Sequence, residues 1–261
     1  MSKNNKNNVL VMGASKSGNM GQVIAKAFLD RGDNVIVSGR NKEELELFSQ
    51  ANQCTSIPCD ISSETEIKNL VKTINQKFDH IDVIIQASGY GVSVPFLEMN
   101  NSDLTDIVNI QFKGPFQLFQ ACIPLMTNGG SIIQISSATA SIMLENYAAY
   151  MGTKAGIDHV IRCIANEFGH QNIRANSISP GLTDTPMTAD SVNLPGLESA
   201  FVKEYPLGRI GTSEDVARTA LFLADKNCFI SGQNIQVSGG LTLRRNPSMS
   251  EIMSSIEKHS E

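Results

Sequence analysis

Tyr150 and Lys154 stand four residues apart in the run Tyr-Met-Gly-Thr-Lys. On a helix that spacing puts both side chains on one face, a turn apart. A free tyrosine ionises near pH ~10, too high for ready proton exchange near neutrality. A neighbouring ammonium favours the phenolate, as would the positive ring of an oxidised nicotinamide. The phenol then becomes a general acid or base, which typically contributes about 10²–10⁴-fold in rate. A lone Tyr-x-x-x-Lys arises often by chance. Here Ser137 lies thirteen residues upstream, at the end of a predicted strand.

A second group of residues could hold a phosphate. Val9–Met12 reads as a buried strand and runs into Gly13-Ala-Ser15-Lys16-Ser-Gly18-Asn-Met20-Gly21, after which a helix begins. Glycine lets the chain turn sharply and lets a pyrophosphate approach the free N–H groups at the helix start. Strand, glycine cluster and helix in that order indicate dinucleotide binding. The end of the second strand is Ser38-Gly39-Arg40, without the acid that would bond a ribose 2′-hydroxyl. Arg40 and Lys16 would suit a 2′-phosphate, so NADP(H) is the expected cofactor.

The elements that must position these groups alternate. Strands are predicted at 9–12, 34–38, 55–60, 83–86, 131–136, 175–179 and 235–237. Helices are predicted at 22–31, 42–50, 64–78, 104–126, 150–168 and 213–224. Such alternation implies right-handed β-α-β crossovers and a parallel sheet covered on both faces. The expected fold is α/β: one Rossmann-like domain over residues 1–240, a doubly wound parallel sheet of about seven strands, followed by a tail over 241–261.

Bulk composition agrees with a globular enzyme. The chain has 261 residues, 41% hydrophobic and 18% charged, enough for a sizeable core. A net charge of −5 without a basic stripe argues against nucleic acid or an anionic membrane as partner. No run approaches the ~20 apolar residues of a membrane span, and the polar start lacks the apolar core of a secretory signal. Five scattered cysteines with no C-x-x-C pair read as reduced thiols, consistent with a cytoplasmic location. The four histidines show no ligand spacing, so no metal is expected.

With these residues assembled, the chain resembles the short-chain dehydrogenase/reductase family from Val9 to Gly240. The resemblance implies that Ser137 bonds the substrate oxygen, Tyr150 is the proton donor and Lys154 its partner. It matches Asn109, twenty-eight residues before the serine, to the asparagine that holds a water against the lysine. Asp60 and Ile61 would lie beside the adenine, Ala87 and Gly89 along the crevice, and Pro180, Gly181 and Thr183 against the nicotinamide amide. The segment from Met187 to Leu197 would cover the substrate. A homo-oligomer, tetramer or dimer, is also implied. The implied substrate is a small-molecule or carrier-bound acyl ketone, such as a 3-oxoacyl thioester.

Two departures stand out. The usual Asn-Asn-Ala-Gly after the fourth strand is Gln86-Ala-Ser-Gly89 here. The glycine loop, two residues longer than the common form, looks more like that of enoyl-acyl-carrier-protein reductases, which place a tyrosine seven residues before the lysine. Tyr147 stands there. It is either an aromatic wall of the substrate pocket or, with Lys154, the acid of a carbon–carbon double-bond reduction. Phe112, Phe116 and Phe119 at helical spacing read as core or subunit packing. In the tail, Ile252, Met253 and Ile256 could line one face of a short helix.

Overall fold

The computed structural model describes residues 6–259. In chain order the elements are β1 (Asn8–Met12), α1 (Met20–Arg31), β2 (Asn34–Gly39), α2 (Lys42–Asn52), β3 (Thr55–Pro58), α3 (Glu64–Phe78) and β4 (Val83–Gln86). These are followed by α4 (Asn101–Val108), α5 (Gly114–Cys122), β5 (Gly130–Ile135), α6 (Ala148–Phe168), β6 (Ile173–Pro180) and the short β7 (Thr183–Asp184). The chain closes with α7 (Ala189–Val192), α8 (Leu197–Val202), β8 (Gly211–Thr212), α9 (Ser213–Leu223), β9 (Asn234–Val237) and α10 (Met249–His259).

Seven strands form one parallel sheet in the order β3-β2-β1-β4-β5-β6-β9. Alternate strand residues face opposite layers, as the two-residue period of a strand requires. Leu10, Met12, Ile36, Ile84 and Ile132 face α3, α5 and α6, where Leu70, Phe119, Ile157 and Ile161 meet them. Val9, Val11, Val37, Val83, Ile85 and Ile133 face α1 and α9, against Ile24, Phe28, Val216 and Ala220. The strand order reverses between β1 and β4, and a crevice at their carboxyl ends is where such sheets take a ligand.

The expected single helix over 104–126 is instead α4, a π turn over Asn109–Lys113, and α5. Pro115 has no N–H to give the carbonyl one turn back, and the Gly114 N–H reaches Asn109 O, five residues earlier. Gly114 must also be small: a Cβ there would lie 2.4 Å from Ile61 O. Of the three phenylalanines, Phe119 is core, Phe112 packs against it, and Phe116 is 45% exposed.

The tail folds back on its own chain. Ile252 and Ile256 of α10 join Ala138, Phe201, Tyr205, Ile210 and Leu241 in a third apolar cluster. Met253 does not share that face and is 49% exposed. Five free cysteines are present among the described residues. Burial raises the thiols of Cys54 to about 11 and of Cys59 and Cys122 to about 12.

Candidate active site

Tyr150 and Lys154 sit in the first two turns of α6, a helix whose buried face (Thr153, Lys154, Ile157, Ile161, Ile164) is pressed on the sheet. Lys154 is buried and its Nζ donates to the Ile135 carbonyl at 2.9 Å, at the end of β5. The same Nζ lies 5.6 Å from the centre of the Tyr150 ring. Ser137, two residues beyond β5, lies close enough to the Tyr150 phenol to favour its ionised form. Its hydroxyl is 2.9 Å from Thr139 Oγ1 and accepts from Thr139 N at 3.2 Å.

Burial is the largest influence on both ionisable groups. It pushes the Tyr150 phenol above its usual range, Ser137 pulls it back, and Tyr147 pushes it up again. The principal opposing influence is Ser137. Lys154 is itself lowered to about 8 by burial, opposed by the Asp158 carboxylate one turn further along α6. Asp158 Oδ2 accepts from Ser136 Oγ at 2.8 Å and Asn234 Nδ2 at 2.6 Å. Asp158 was missed in the sequence, although its place four residues after Lys154 on the same face of α6 was the available signal.

The place expected for Asn109 is taken by Gln111. Asn109 is partly exposed at the end of α4, its carbonyl committed to Gly114 N–H. Gln111 is buried, its Nε2 is 3.4 Å from Thr153 Oγ1, and its Oε1 has no partner among the described residues. A Cβ on Gly89 would lie 2.7 Å from Gln111 Oε1 and 3.5 Å from Lys154 Nζ, so both side chains end at Gly89. Counting a fixed offset back from Ser137 misses this. The buried series Ile107, Gln111, Gly114, Leu118 would have found it.

Tyr147 caps α6, with its ring edge-on to Tyr150 at 6.1 Å between centroids. A Cβ on Gly91 would lie 3.7 Å from Tyr147 Cε1, so Tyr147 stands at the outer wall of the site.

The glycine loop is tightly built. Gly13 has φ +102 and bonds Ser38 O at 2.8 Å; a Cβ there would lie 2.4 Å from Ser88 N. Two side chains absent from the sequence expectation pin the loop. Asn19 caps α1 and donates to Gly13 O at 2.8 Å, while Gln22 accepts from Gly18 N and donates to Ala14 O, both at 3.1 Å. Met20 opens α1. The Ser15 hydroxyl lies over Gly39, 2.7 Å from where a Cβ would be. Arg40 is exposed just beyond β2. Lys16 Nζ reaches across the crevice mouth to Pro186 O at 2.9 Å.

Asp60 turns its carboxylate onto Ser62, accepting from N at 2.9 Å and Oγ at 2.7 Å. The Ile61 side chain belongs to the core, which leaves only its backbone to the crevice. Ala87 N donates to Met12 O at 2.8 Å and continues the sheet. Gln86, where the usual motif has asparagine, accepts from Ser88 N and Oγ, each at 2.7 Å. Pro180 ends β6, and Thr183 is buried with its hydroxyl on Gly181 O at 2.9 Å. Gly181 has no room for a side chain: a Cβ would lie 2.3 Å from Tyr205 Oη.

A family model described as enoyl-(acyl carrier protein) reductase matches residues 13–242. The chain belongs to the short-chain dehydrogenase/reductase family. This dehydrogenase/reductase is 33% identical over 248 residues to an uncharacterized oxidoreductase of Schizosaccharomyces pombe, covering 92% of each chain. It is 30% identical to the 3-oxoacyl-acyl-carrier-protein reductase FabG of Thermotoga maritima, covering 90% of this chain and 97% of that one. A short-chain type dehydrogenase/reductase from Mycobacterium ulcerans superposes with a TM-score of 0.90 at 27% identity, covering 98% of this chain and 99% of that one. Among the described residues no helix is long and apolar enough to cross a membrane.

Proposed function

We propose that this oxidoreductase reduces a ketone to an alcohol with NADPH, and that the ketone is a 3-oxoacyl thioester or a related carbonyl. The observation that carries the reading is the convergence of Ser137 and Lys154 on Tyr150. Tyr150 donates its proton to the carbonyl oxygen, and the Ser137 hydroxyl holds and polarises that oxygen. Lys154 keeps a positive charge beneath the phenol, and Gln111 fixes the lysine's approach along Gly89.

The residues present fit a phosphorylated dinucleotide. Gly13 leaves a bare backbone turn where a Cβ would collide, and the pinned loop leads into the start of α1. Arg40 and Lys16 are exposed cations beside this turn and would meet a 2′-phosphate, while Pro180, Gly181 and Thr183 would hold the carboxamide end. Bound NADPH supplies the hydride. The thioester substrate is supported by the likeness to the reductase of Thermotoga maritima.

Enoyl reduction through Tyr147 is the weaker reading, because Ser137 and Lys154 both address Tyr150 while Tyr147 rests by Gly91. The test is turnover of matched 3-oxoacyl and 2-enoyl thioesters with NADPH, followed by absorbance. Tyr150→Phe should lose about 10²–10⁴-fold on the ketone. Tyr147→Phe should keep its rate within about tenfold. The reverse pattern overturns the assignment.

A further inference from the structure

The chain beyond Gly240 touches two segments near Ser137, Tyr147 and Tyr150, which under the proposed function are the walls of the substrate mouth. One wall is the segment from Ala138 to Tyr147. Asn246 is 7% exposed and donates Nδ2–H to the Met143 carbonyl at 3.0 Å. Met249 N donates to Glu145 Oε2 at 3.1 Å. The other wall is α8 with the residues that follow it. Ser255 Oγ donates to the Gly196 carbonyl at 2.8 Å, just before α8 begins. Arg245 pairs with Glu204 at 3.4 Å and with Glu251 at 2.7 Å, so one guanidinium joins the chain just beyond α8 to α10.

Packing repeats the pattern. Gly196 has φ +84, and a Cβ there would lie 2.3 Å from Ser255 O, so the approach requires glycine. Ile252 and Ile256 bring together Ala138 and Leu144 from one wall and Phe201 and Tyr205 from the other. Ala138 adjoins Ser137, and Tyr205 abuts Gly181 of the Pro-Gly turn. Ordinary end-packing would anchor the tail to the nearest surface. This tail bonds the two segments that frame the substrate position.

We propose that residues 245–259 position the substrate by tying the 138–147 wall to α8, with Asn246 and Arg245 as the two anchors. The tie sets the width of the mouth and the placement of Ser137 and Tyr147 around a bound carbonyl. It rests on the reading of Ser137 and Tyr150 as the carbonyl site. Once a thioester is in place, the tail acts on its binding and leaves proton transfer to Tyr150.

The test uses the full chain with Asn246→Ala or Arg245→Ala. Asn246→Ala should raise KM for the 3-oxoacyl thioester roughly five- to tenfold, the worth of one buried hydrogen bond. Its kcat should stay within about threefold and NADPH affinity, by fluorescence titration, should be unchanged. Hydrogen exchange should quicken in 138–147 and 196–204 and stay constant in α6 and the sheet. Unchanged KM and unchanged exchange in both segments would overturn the proposal. So would a joint loss of KM, kcat, NADPH affinity and sheet protection, which marks a purely structural tail. If the unaltered protein reduces no ketone, the function reading fails, and the exchange pattern alone decides the role of the tail.

Discussion

Gln111 Oε1 and Lys154 Nζ, from two different helical segments, both reach the space that a side chain on Gly89 would fill, 2.7 and 3.5 Å from where its Cβ would be. The π turn makes this possible, because it rotates Gln111 onto the buried face while Asn109 stays at the end of α4. A carboxamide oxygen is a neutral acceptor able to steady an ammonium without cancelling its charge.

Replacing Gln111 with Leu should therefore lower kcat at least about tenfold with a small change in KM, because it loosens the group beneath Tyr150. Asn109→Ala should stay within about twofold. Steady-state kinetics of both variants checks this, and equal losses would return Asn109 to the site.

Lys154, lowered to about 8, carries its charge below that pH and loses it above. A reduction that uses the ammonium should show kcat/KM falling as pH rises through about 8, since that ratio reports the free enzyme. The Asp158 carboxylate favours the charged form, so Asp158→Asn should move the alkaline limb to lower pH. The carboxamide oxygen can still accept from Ser136 and Asn234. A limb that stays in place would uncouple Asp158 from Lys154.

Arg40 stands exposed at the end of β2 where the chain carries no acid. Arg40→Ala should weaken NADPH about ten- to a hundredfold, the worth of a hydrogen bond to a charged group, and leave NADH nearly unaffected. Initial rates with each nucleotide give the ratio. Equal effects on both would mean that Arg40 does not meet a 2′-phosphate.

Two glycines in helices should behave oppositely. At Gly21 a Cβ would lie 2.4 Å from Gly13 O, so Gly21→Ala should cost about 1–3 kcal/mol and weaken nucleotide binding. At Gly152, on the exposed side of α6, nothing lies within 4 Å, and Gly152→Ala should stabilise by about 0.5–1 kcal/mol. Thermal unfolding of the two variants decides.

The architecture was legible because its signals are local. Uncharged strand runs such as Val83–Gln86 and the amphipathic Glu64–Phe78 fall where periodicity puts them. Tyr150 and Lys154 could be read together because a helix fixes their spacing. Gln111 was legible only from its place in the series Ile107, Gln111, Gly114, Leu118, not from an offset to Ser137, because Pro115 reshapes the helix between them. Asn19, Gln22 and Gln86 act through backbone groups brought near by turns, which no residue count reveals. The tail's partners at Met143 and Gly196 are distant in sequence and meet it only after folding.

The connectivity of the sheet also orders events on the ribosome. Val9 lies between Val35 and Val83, so β1 can pair with β2 early but must wait for β4 before the nucleotide crevice has two sides. β6 waits in turn for β9, and α10 leaves the tunnel after both. A nascent chain would thus complete its nucleotide crevice well before the segment proposed to brace its substrate entrance has been made.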